Sequence, residues 1–410
     1  MSTTVPHVTL GDVRAAQQLL DGIAVVTPMV ESRWLSERVG GTVQLKCENL
    51  QRTGSFKIRG AYNRMYHLTE DERAHGVVAA SAGNHAQGVA LAAQMLGIKA
   101  TVFMPEGAPI PKLNATRGYG AEVIFHGAFL DQALVEAYAF AERTGAILIH
   151  PFDHQDILAG QGTCGMEILA QAPDVRTVLI PLGGGGLIAG SALAIKELCR
   201  EQGLPDVRLV GVQAAGAAAY PPSLAAGEPV ALETMRTMAD GIAVGRPGPV
   251  PFAAIQEYVD DVVTVSEDSL SAALVGVLER EKLVVEPAGA AAVAAVLEQP
   301  DAFETPVVVV LSGGNVDPLL MGKLIRHGLA AAGRYLQLRV RIPDTPGGLA
   351  TLLAELAAVG ANVLEVSHER LSTQLQVDEV EVRLQLETRG SPHADEVVGR
   401  LRECGYDVSD

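Results

Sequence analysis

Cysteine, aromatic side chains and basic charge are all scarce in this chain of 410 residues. The four cysteines stand far apart without paired metal-ligand spacing, so we expect buried or partly buried free thiols, with no disulfides and no metal site. Lysine and arginine number 31 against 48 aspartates and glutamates, which gives a formal charge of −17. Such an acidic surface repels phosphate backbones and argues against nucleic acid as a partner. An anionic ligand must therefore be held locally, by backbone amides or individual side chains.

Long apolar runs are missing as well. No run reaches the roughly 18 residues that a membrane span needs, and the segment MSTTVPHVTLGDVRAAQQLL lacks the basic and apolar regions of a signal peptide. We therefore expect a cytoplasmic protein with no membrane partner. The hydrophobic fraction of 48% is typical of a globular protein with a large interior, and the length suits two or three domains.

Short apolar runs that end in glycine or serine clusters alternate with helical patterns through most of the chain. Residues 76–84 (GVVAASAGN), 177–186 (TVLIPLGGGG) and 307–315 (VVVVLSGGN) each predict a buried strand that runs into a tight polar turn. A helical pattern follows the first two turns, which is typical of an α/β protein with a parallel sheet. Ligands in such folds bind beyond the carboxyl ends of the strands, where these turns gather.

The pattern changes near residue 332. Residues 335–342 and 380–386 alternate strictly between apolar and polar side chains, whereas leucines recur at helical spacing over 349–356 and a final helix is expected near 393–404. One-sided strands with amphipathic helices predict a small α+β domain over 333–410. We predict that the remaining residues, 1–332, form the catalytic region.

Lys57 stands between Phe56 and Ile58 in the segment ENLQRTGSFKIRGAYN. Most lysines are solvated surface charges, and that is the ordinary interpretation of a single lysine. A lysine held in a cleft, however, loses its proton easily and can condense with an aldehyde. The three polar turns favour this second interpretation when they are considered together.

The run Gly183–Leu187 (GGGGL) follows a predicted strand and opens a helix. Backbone without side chains can curl so that successive N–H groups converge on one anion at a helix N-terminus. The run therefore predicts a phosphate site that needs no lysine, although a plain loop remains the alternative. It does not match the dinucleotide pattern GxGxxG with its distant acidic residue.

Two further turns carry polar groups suited to a small ligand. SAGNH, residues 81–85, offers a hydroxyl, an amide and exposed backbone donors that fit a carboxylate. SGGN, residues 312–315, places Ser312 where it could contact a ring nitrogen. Each motif alone could be an ordinary turn, whereas the combination is much more specific.

With these motifs in order, the sequence resembles the tryptophan-synthase-β-like (fold type II) family of pyridoxal-phosphate enzymes, and within it the threonine ammonia-lyases. SFKIRGA, SAGNHAQG, HPFDHQDILAGQGT, GGGGL, VEPAGAA and SGGN all occur in the family's order, over residues 5–330. The resemblance implies two open twisted α/β subdomains, the smaller, about 50–150, inserted in the larger. The tail resembles an ACT regulatory domain.

The resemblance also implies roles for individual residues. Lys57 resembles the lysine that binds pyridoxal 5'-phosphate covalently, and Phe56 the residue beside the cofactor ring. By the same resemblance, the cofactor phosphate would be bound by Gly183, Gly184, Gly185, Gly186 and Leu187. Asn84 would contact the phenolic oxygen of the cofactor and Ser312 its ring nitrogen. The substrate carboxylate would be bound by the loop of Ser81, Gly83, Asn84 and His85. A serine hydroxyl leaves the ring uncharged and favours prompt elimination over a long-lived carbanion.

Two positions depart from relatives. Ala82 stands where related racemases have a second serine, so racemisation should be poor. Gln213 aligns with an acidic residue of a divalent-cation site, so metal dependence is doubtful. Glu286 in VEPAGAA either faces the site or has a solvated or capping role.

The ACT-like tail implies a small amino-acid effector at an interface between subunits. Pro346, Gly347 and Gly348 would let backbone amides approach its carboxylate, and Asn362 could add a contact. A dimerisation domain without a ligand is the alternative. The implied protein is a homo-oligomer, dimer or tetramer, regulated by isoleucine or valine.

The expected activity is conversion of L-threonine to 2-oxobutanoate and ammonia, with L-serine as a slower substrate. A methyl group changes discrimination by only about 1–3 kcal/mol in an apolar pocket. A serine dehydratase or a β-replacement synthase on the same fold is therefore the first alternative. A non-catalytic amino-acid sensor is the second, although the intact site residues argue against it.

Overall fold

The computed structural model describes residues 7–370, 375–376 and 378–409. The chain divides into two compact units, Met1–Pro318 and Leu319–Asp410. This division lies earlier than the predicted change near residue 332. The helix Pro318–Ala331 falls almost wholly in the second unit, because its last turns line one groove with Tyr335 and Gln337 of the following strand.

The described residues of the first unit, 7–318, form two sheets. The strands of the larger sheet are β1 (Met29–Glu31), β2 (Val43–Lys46), β7 (Thr177–Pro181), β8 (Arg208–Ala214), β9 (Asp261–Val265) and β10 (Val307–Val310). Those of the smaller sheet are β3 (Val77–Ala80), β4 (Ala100–Met104), β5 (Glu122–Phe125) and β6 (Ile147–Leu148). Their orders are β1-β2-β10-β7-β8-β9 and β5-β4-β3-β6. All pairs are parallel except β1 with β2.

Helices connect these strands. In chain order they are α1 (Leu10–Leu19), α2 (Arg33–Val39), α3 (Lys57–Tyr66), α4 (Glu70–His75), α5 (Asn84–Leu96), α6 (Ile110–Gly118), α7 (Leu130–Thr144), α8 (Gln155–Gln171), α9 (Gly186–Gln202), α10 (Tyr220–Ala226), α11 (Pro249–Tyr258), α12 (Glu267–Gly276) and α13 (Pro287–Glu298). A π-helical turn, Val277–Glu281, extends α12. The smaller sheet is inserted in sequence between β2 and β7 of the larger one, as the resemblance implies.

The predicted buried strands are confirmed. All residues of β3, β7 and β10 are buried, as expected for valine-rich strands inside parallel sheets that helices cover. The three polar motifs follow these strands directly, so SAGNH, GGGGL and SGGN all lie at carboxyl ends. The parallel α/β architecture thus places the predicted site residues at the edges where ligands bind.

The second unit begins with α14 (Pro318–Ala331) and continues with a separate small sheet. Its elements are β11 (Tyr335–Pro343), α15 (Gly348–Ala358), β12 (Asn362–Glu369), β13 (Glu379–Glu387), α16 (Ser391–Glu403) and β14 (Asp407–Ser409). The antiparallel order is β12-β13-β11-β14. Alternate residues of β11 and β13, such as Leu338 and Leu384, are buried under α15 and α16. The two alternating strands and two helices are confirmed, whereas β12 and β14 were not predicted.

Three cysteines are buried, as predicted, but Cys404 is exposed. The expectation that all four are at least partly buried is therefore wrong at this position. Cys404 caps the C-terminal end of α16, where the apolar face of the helix has already ended. Within the described residues, no helix is both long enough and apolar enough to cross a membrane.

Candidate active site

A cavity of about 350 Å³ in the first unit collects the three polar turns and the candidate lysine. Every residue predicted to bind cofactor or substrate lines it: Phe56, Lys57, Ser81, Gly83, Asn84, His85, Gly183, Gly184, Gly185, Gly186, Leu187 and Ser312. These residues come from positions far apart in the sequence. The fold therefore brings together in space what the motifs indicated separately.

Lys57 is the first residue of α3, and its Nζ donates a hydrogen bond to the carbonyl oxygen of Pro151 at 3.0 Å. The same Nζ lies 5.1 Å from the centroid of the Phe56 ring. Burial lowers the pKa of Lys57 to about 8, against an opposing effect of Glu286. A substantial fraction of the amine is therefore neutral near physiological pH, which is the form that attacks an aldehyde.

The glycine run joins β7 to α9 in a conformation that side chains would disrupt. Gly185 has φ of +96° and precedes the first residue of α9. A β-carbon at Gly183 would lie 2.8 Å from Ile242 Cα, and one at Gly184 would overlap the Phe152 ring. Because the first N–H groups of a helix lack intrahelical acceptors, this bare backbone at a helix N-terminus suits a phosphate.

Asn84 is held in one orientation by two neighbours. Its Oδ1 accepts a hydrogen bond from Asn315 Nδ2 at 2.8 Å, and its Nδ2 donates to Glu286 Oε1 at 2.5 Å. Asn315 Nδ2 also donates to the carbonyl oxygen of Thr53 at 2.6 Å. An amide nitrogen has two hydrogens, so Asn84 retains one donor for a further acceptor in the cavity.

The SAGNH turn is organised from within. Ser81 Oγ accepts a hydrogen bond from the backbone N–H of Gly83 at 3.1 Å. His85 Nε2 lies 2.7 Å from the carbonyl oxygen of Ile149, so this nitrogen carries the proton. Burial lowers the pKa of His85 to about 3, and the ring is neutral. The His85 side chain thus anchors the turn to the neighbouring chain segment, and Ala82 lines the cavity beside it.

Ser312 and Glu286 lie on the remaining wall of the cavity. The Ser312 carbonyl oxygen accepts a hydrogen bond from the Phe56 N–H at 3.3 Å, which fixes the SGGN turn to the residue before Lys57. Burial raises the pKa of Glu286 to about 7. Of the roles left open for Glu286, the structure supports the one that faces the site.

The sequence did not indicate Lys112 or Asp240, which also line the cavity. Lys112 lies on α6, and its Nζ is 3.1 Å from Oδ2 of Asp240, in the segment between α10 and α11. Neither residue belongs to one of the three polar turns or to a strand end. The one sequence feature that bears on Lys112 is the excess of acidic residues, because a buried positive side chain in such an acidic protein suggests a site for an anion.

Gln213, the position at which we expect a departure from a metal-binding pattern, is fully buried. Its Oε1 accepts a hydrogen bond from the backbone N–H of Tyr220 at 3.0 Å, and its Nε2 donates to the carbonyl oxygen of Ala217 at 3.5 Å. Both ends of the amide are therefore engaged by the backbone at the start of α10.

The predicted effector residues lie in the second unit. Gly347, with φ of +94°, caps the N-terminus of α15, and a β-carbon at Gly348 would lie 2.9 Å from the carbonyl oxygen of Pro343. Pro346 is exposed in the same turn. Asn362 begins β12, and its Nδ2 donates to Glu387 Oε2 at 3.1 Å.

The family model described as pyridoxal-phosphate dependent enzyme matches residues 21–313. An L-threonine ammonia-lyase of Thermotoga maritima is 45% identical over 98% of this chain and 99% of its own length. The crystal structure of a T.th. threonine deaminase is 43% identical over 75% of this chain and 99% of its own, with a TM-score of 0.71. Maize serine racemase is 33% identical over 79% and 98%, with a TM-score of 0.72.

Proposed function

Because the chain belongs to the pyridoxal-phosphate-dependent enzyme family and is a lyase, we propose that it converts L-threonine to 2-oxobutanoate and ammonia. The β-hydroxyl leaves as water in an elimination, and water returns when the resulting enamine is hydrolysed. The proposal is carried by one observation, the convergence of Lys57, Asn84, the glycine run and Ser312 on a single cavity. The Thermotoga maritima relative, which matches 98% of this chain, and the T.th. structure, which matches 75% of it, are both named for threonine.

The residues of the cavity fit the cofactor. Gly183 and Gly184 let the backbone pack against Ile242 and Phe152, where a β-carbon would collide, and this bare backbone leads into the N-terminus of α9, which suits a phosphate. The lowered pKa of Lys57 suits an amine that condenses with the cofactor's aldehyde. Asn84 retains an N–H for the phenolic oxygen, and Ser312 Oγ would donate to the ring nitrogen.

When bound, pyridoxal phosphate supplies an aldehyde that captures amines and a conjugated ring that withdraws electrons from the α-carbon. Lys57 Nζ acts as the base that accepts the α-proton, since its pKa of about 8 lies near the working pH. The turn of Ser81, Gly83 and Asn84 holds the substrate carboxylate, with His85 as its anchor. Ser312 binds the ring without charging it, whereas a carboxylate there would keep the nitrogen protonated.

The test follows 2-oxo acid and ammonia release from L-threonine by the cofactor-loaded protein. We expect equal molar yields of the two products, with slower turnover of L-serine. Lys57→Ala should abolish both turnover and the visible absorbance band that arises from the covalent bond between this lysine and the cofactor. Lys57→Arg retains positive charge but cannot condense, so it should also be inactive while folding normally.

Other outcomes would point elsewhere. Faster turnover of L-serine than of L-threonine would indicate a serine dehydratase, and a thiol product with added sulfide would indicate a β-replacement synthase. D-serine formed from L-serine at a comparable rate would indicate a racemase, which Ala82 argues against. Retained turnover in Lys57→Ala would contradict the assignment of the base.

We further propose that the second unit is an ACT domain that binds a branched-chain amino acid in a homo-oligomer. Its β11-α15-β12-β13-α16-β14 order and one-sided antiparallel sheet support this proposal, as does the turn at Pro346–Gly348. Isoleucine is the first effector to test, because 2-oxobutanoate is a precursor for its synthesis, and valine is the second. A cytoplasmic location stays a prediction.

A further inference from the structure

Lys112 is a buried cation that the proposed chemistry does not yet use. Its side chain is 9% exposed, and it enters the cavity from α6 of the smaller subdomain. A β-carbon at Gly83 would lie 3.9 Å from Lys112 Nζ and, apart from the residues next to it in the chain, would have no other neighbour within 4 Å among the described residues. The ammonium therefore lies beside the turn that is proposed to hold the substrate carboxylate.

The partner of Lys112 is poorly matched to it in burial. Asp240 Oδ2 lies 3.1 Å from Lys112 Nζ, but the Asp240 side chain is 62% exposed. Water can solvate this carboxylate without help from the lysine, and ion pairs with exposed partners contribute little. The buried ammonium has no such supply of water, so a second carboxylate inside the cavity would compete well for it.

The charges around the cavity also favour an anionic ligand group at this point. Burial raises the pKa of Glu286 to about 7, and the positive charge of Lys112 opposes this rise. His85 is neutral, and Lys57 is reserved for the cofactor in the proposed function. In a chain with a formal charge of −17, attraction of a carboxylate requires a local cation.

We propose that Lys112 binds the α-carboxylate of the substrate, and that it thereby restricts the enzyme to amino acids with a free carboxylate. The inference rests on the proposed function only in requiring an amino-acid substrate. Asp240 holds the ammonium in place before substrate enters and is displaced by the substrate carboxylate. Lys112 is thus a binding residue and determines specificity, while Lys57 performs the proton transfer.

The test measures ligand affinity rather than turnover. L-alanine and L-alaninamide lack a β-hydroxyl, so neither can be dehydrated, and they differ at the carboxyl group, which is an anionic carboxylate in the first and a neutral amide in the second. Each is titrated into cofactor-loaded protein while the visible absorbance of the cofactor is followed. The ratio of the two dissociation constants reports recognition of the carboxylate, in wild type and in Lys112→Gln, Lys112→Arg and Asp240→Asn.

We expect Lys112→Gln to weaken L-alanine binding about tenfold or more, as for loss of a charge-assisted hydrogen bond. Binding of L-alaninamide should change by less than about threefold, because no charge is lost there. Lys112→Arg should keep part of the preference. Asp240→Asn, the matched control that breaks the same ion pair but leaves the ammonium, should keep or increase it.

An unchanged ratio of the two dissociation constants in Lys112→Gln would overturn the inference. Equal weakening of both ligands would make the lysine a structural tie, and no weakening of either would place carboxylate recognition elsewhere. A loss of preference in Asp240→Asn as large as in Lys112→Gln would show that the ion pair, not the lysine, matters. Failure of threonine dehydration alone would leave these titrations interpretable.

Discussion

At the scale of single residues, burial sets the protonation state of each group in the cavity. Burial lowers the pKa of Lys57 to about 8 and that of His85 to about 3, and raises that of Glu286 to about 7. All three shifts oppose charge, as expected where water is scarce. The cavity thus contains a reactive amine and a neutral imidazole, with a carboxyl group that titrates near neutral pH.

Glu286 should impose a pH dependence on stability. Because its folded pKa of about 7 exceeds the ordinary value of 4.5, the folded chain retains a proton that the unfolded chain has released. The corresponding stability is complete below 4.5 and is lost as the pH rises through about 7. Glu286→Gln, which keeps a hydrogen-bond partner for Asn84, should flatten this decline.

The measurement is thermal unfolding of the cofactor-free protein from about pH 4.5 to about pH 8, the interval over which the linkage operates. Wild type should lose stability across this interval relative to Glu286→Gln. Parallel curves for the two proteins would mean that Glu286 ionises normally, and a larger decline in the variant would mean that the sign of the shift is wrong.

At the scale of secondary structure, a buried ionic network fixes the helix that carries Lys57. Arg59 on α3 contacts Glu48 Oε1 at 2.7 Å through Nη2 and Glu167 Oε1 at 2.6 Å through Nη1. Lys46 on β2 contacts Glu167 Oε2 at 2.6 Å. Two positive and two negative side chains therefore join β2, α3 and α8, two residues from the reactive lysine.

Removal of Arg59 should be costly for this reason. Arg59→Met retains much of the apolar stem but leaves Glu48 buried without its cation, so we expect a loss of about 3–5 kcal/mol in the free energy of unfolding. Lys99→Met breaks the exposed pair with Glu122 and should cost at most about 1 kcal/mol. Urea unfolding of both variants compares them directly, and equal midpoints would show that the buried network contributes no more than a surface pair.

Sequence patterns predicted the helices and strands better than they predicted which side chains contact one another in the site. Valine-rich runs such as Val307–Val310 predict buried strands, because a continuous run of β-branched apolar side chains fits the interior of a parallel sheet. Glycines mark the turns that follow these strands. Lys112 and Asp240 carry no such mark, since their meeting depends on how α6 and an irregular segment fold in space. β12 was missed because most of its residues are exposed, which hides the alternation that reveals β11 and β13.

At the scale of the whole molecule, the proposed chemistry and the proposed regulation belong to different units. All the predicted cofactor and substrate residues lie within Met1–Pro318, and the predicted effector residues lie within Leu319–Asp410. An effector can change turnover only if it binds one state of the enzyme more tightly than another. Regulation therefore requires a coupling free energy between the effector site and the active site, which can be measured by titrating the effector and the substrate together.

The effector prediction can be tested with two glycine substitutions in the second unit. Gly347→Ala places a side chain at φ of +94° in the proposed ligand turn, where it is strained. Gly399→Ala, the matched control within α16, meets no described atom within 4 Å and favours helix. In wild type and Gly399→Ala, we expect isoleucine or valine to change the threonine concentration for half-maximal rate by about fivefold or more.

Gly347→Ala should lose most of this response, because the backbone amides of its turn would no longer converge on the effector carboxylate. The readout is 2-oxo acid production over a grid of threonine and effector concentrations, on full-length protein. A wild-type chain that ignores every branched-chain amino acid would contradict regulation by this unit, since no coupling free energy would then exist. A Gly347→Ala response equal to that of wild type would instead move the effector site away from Pro346–Gly348.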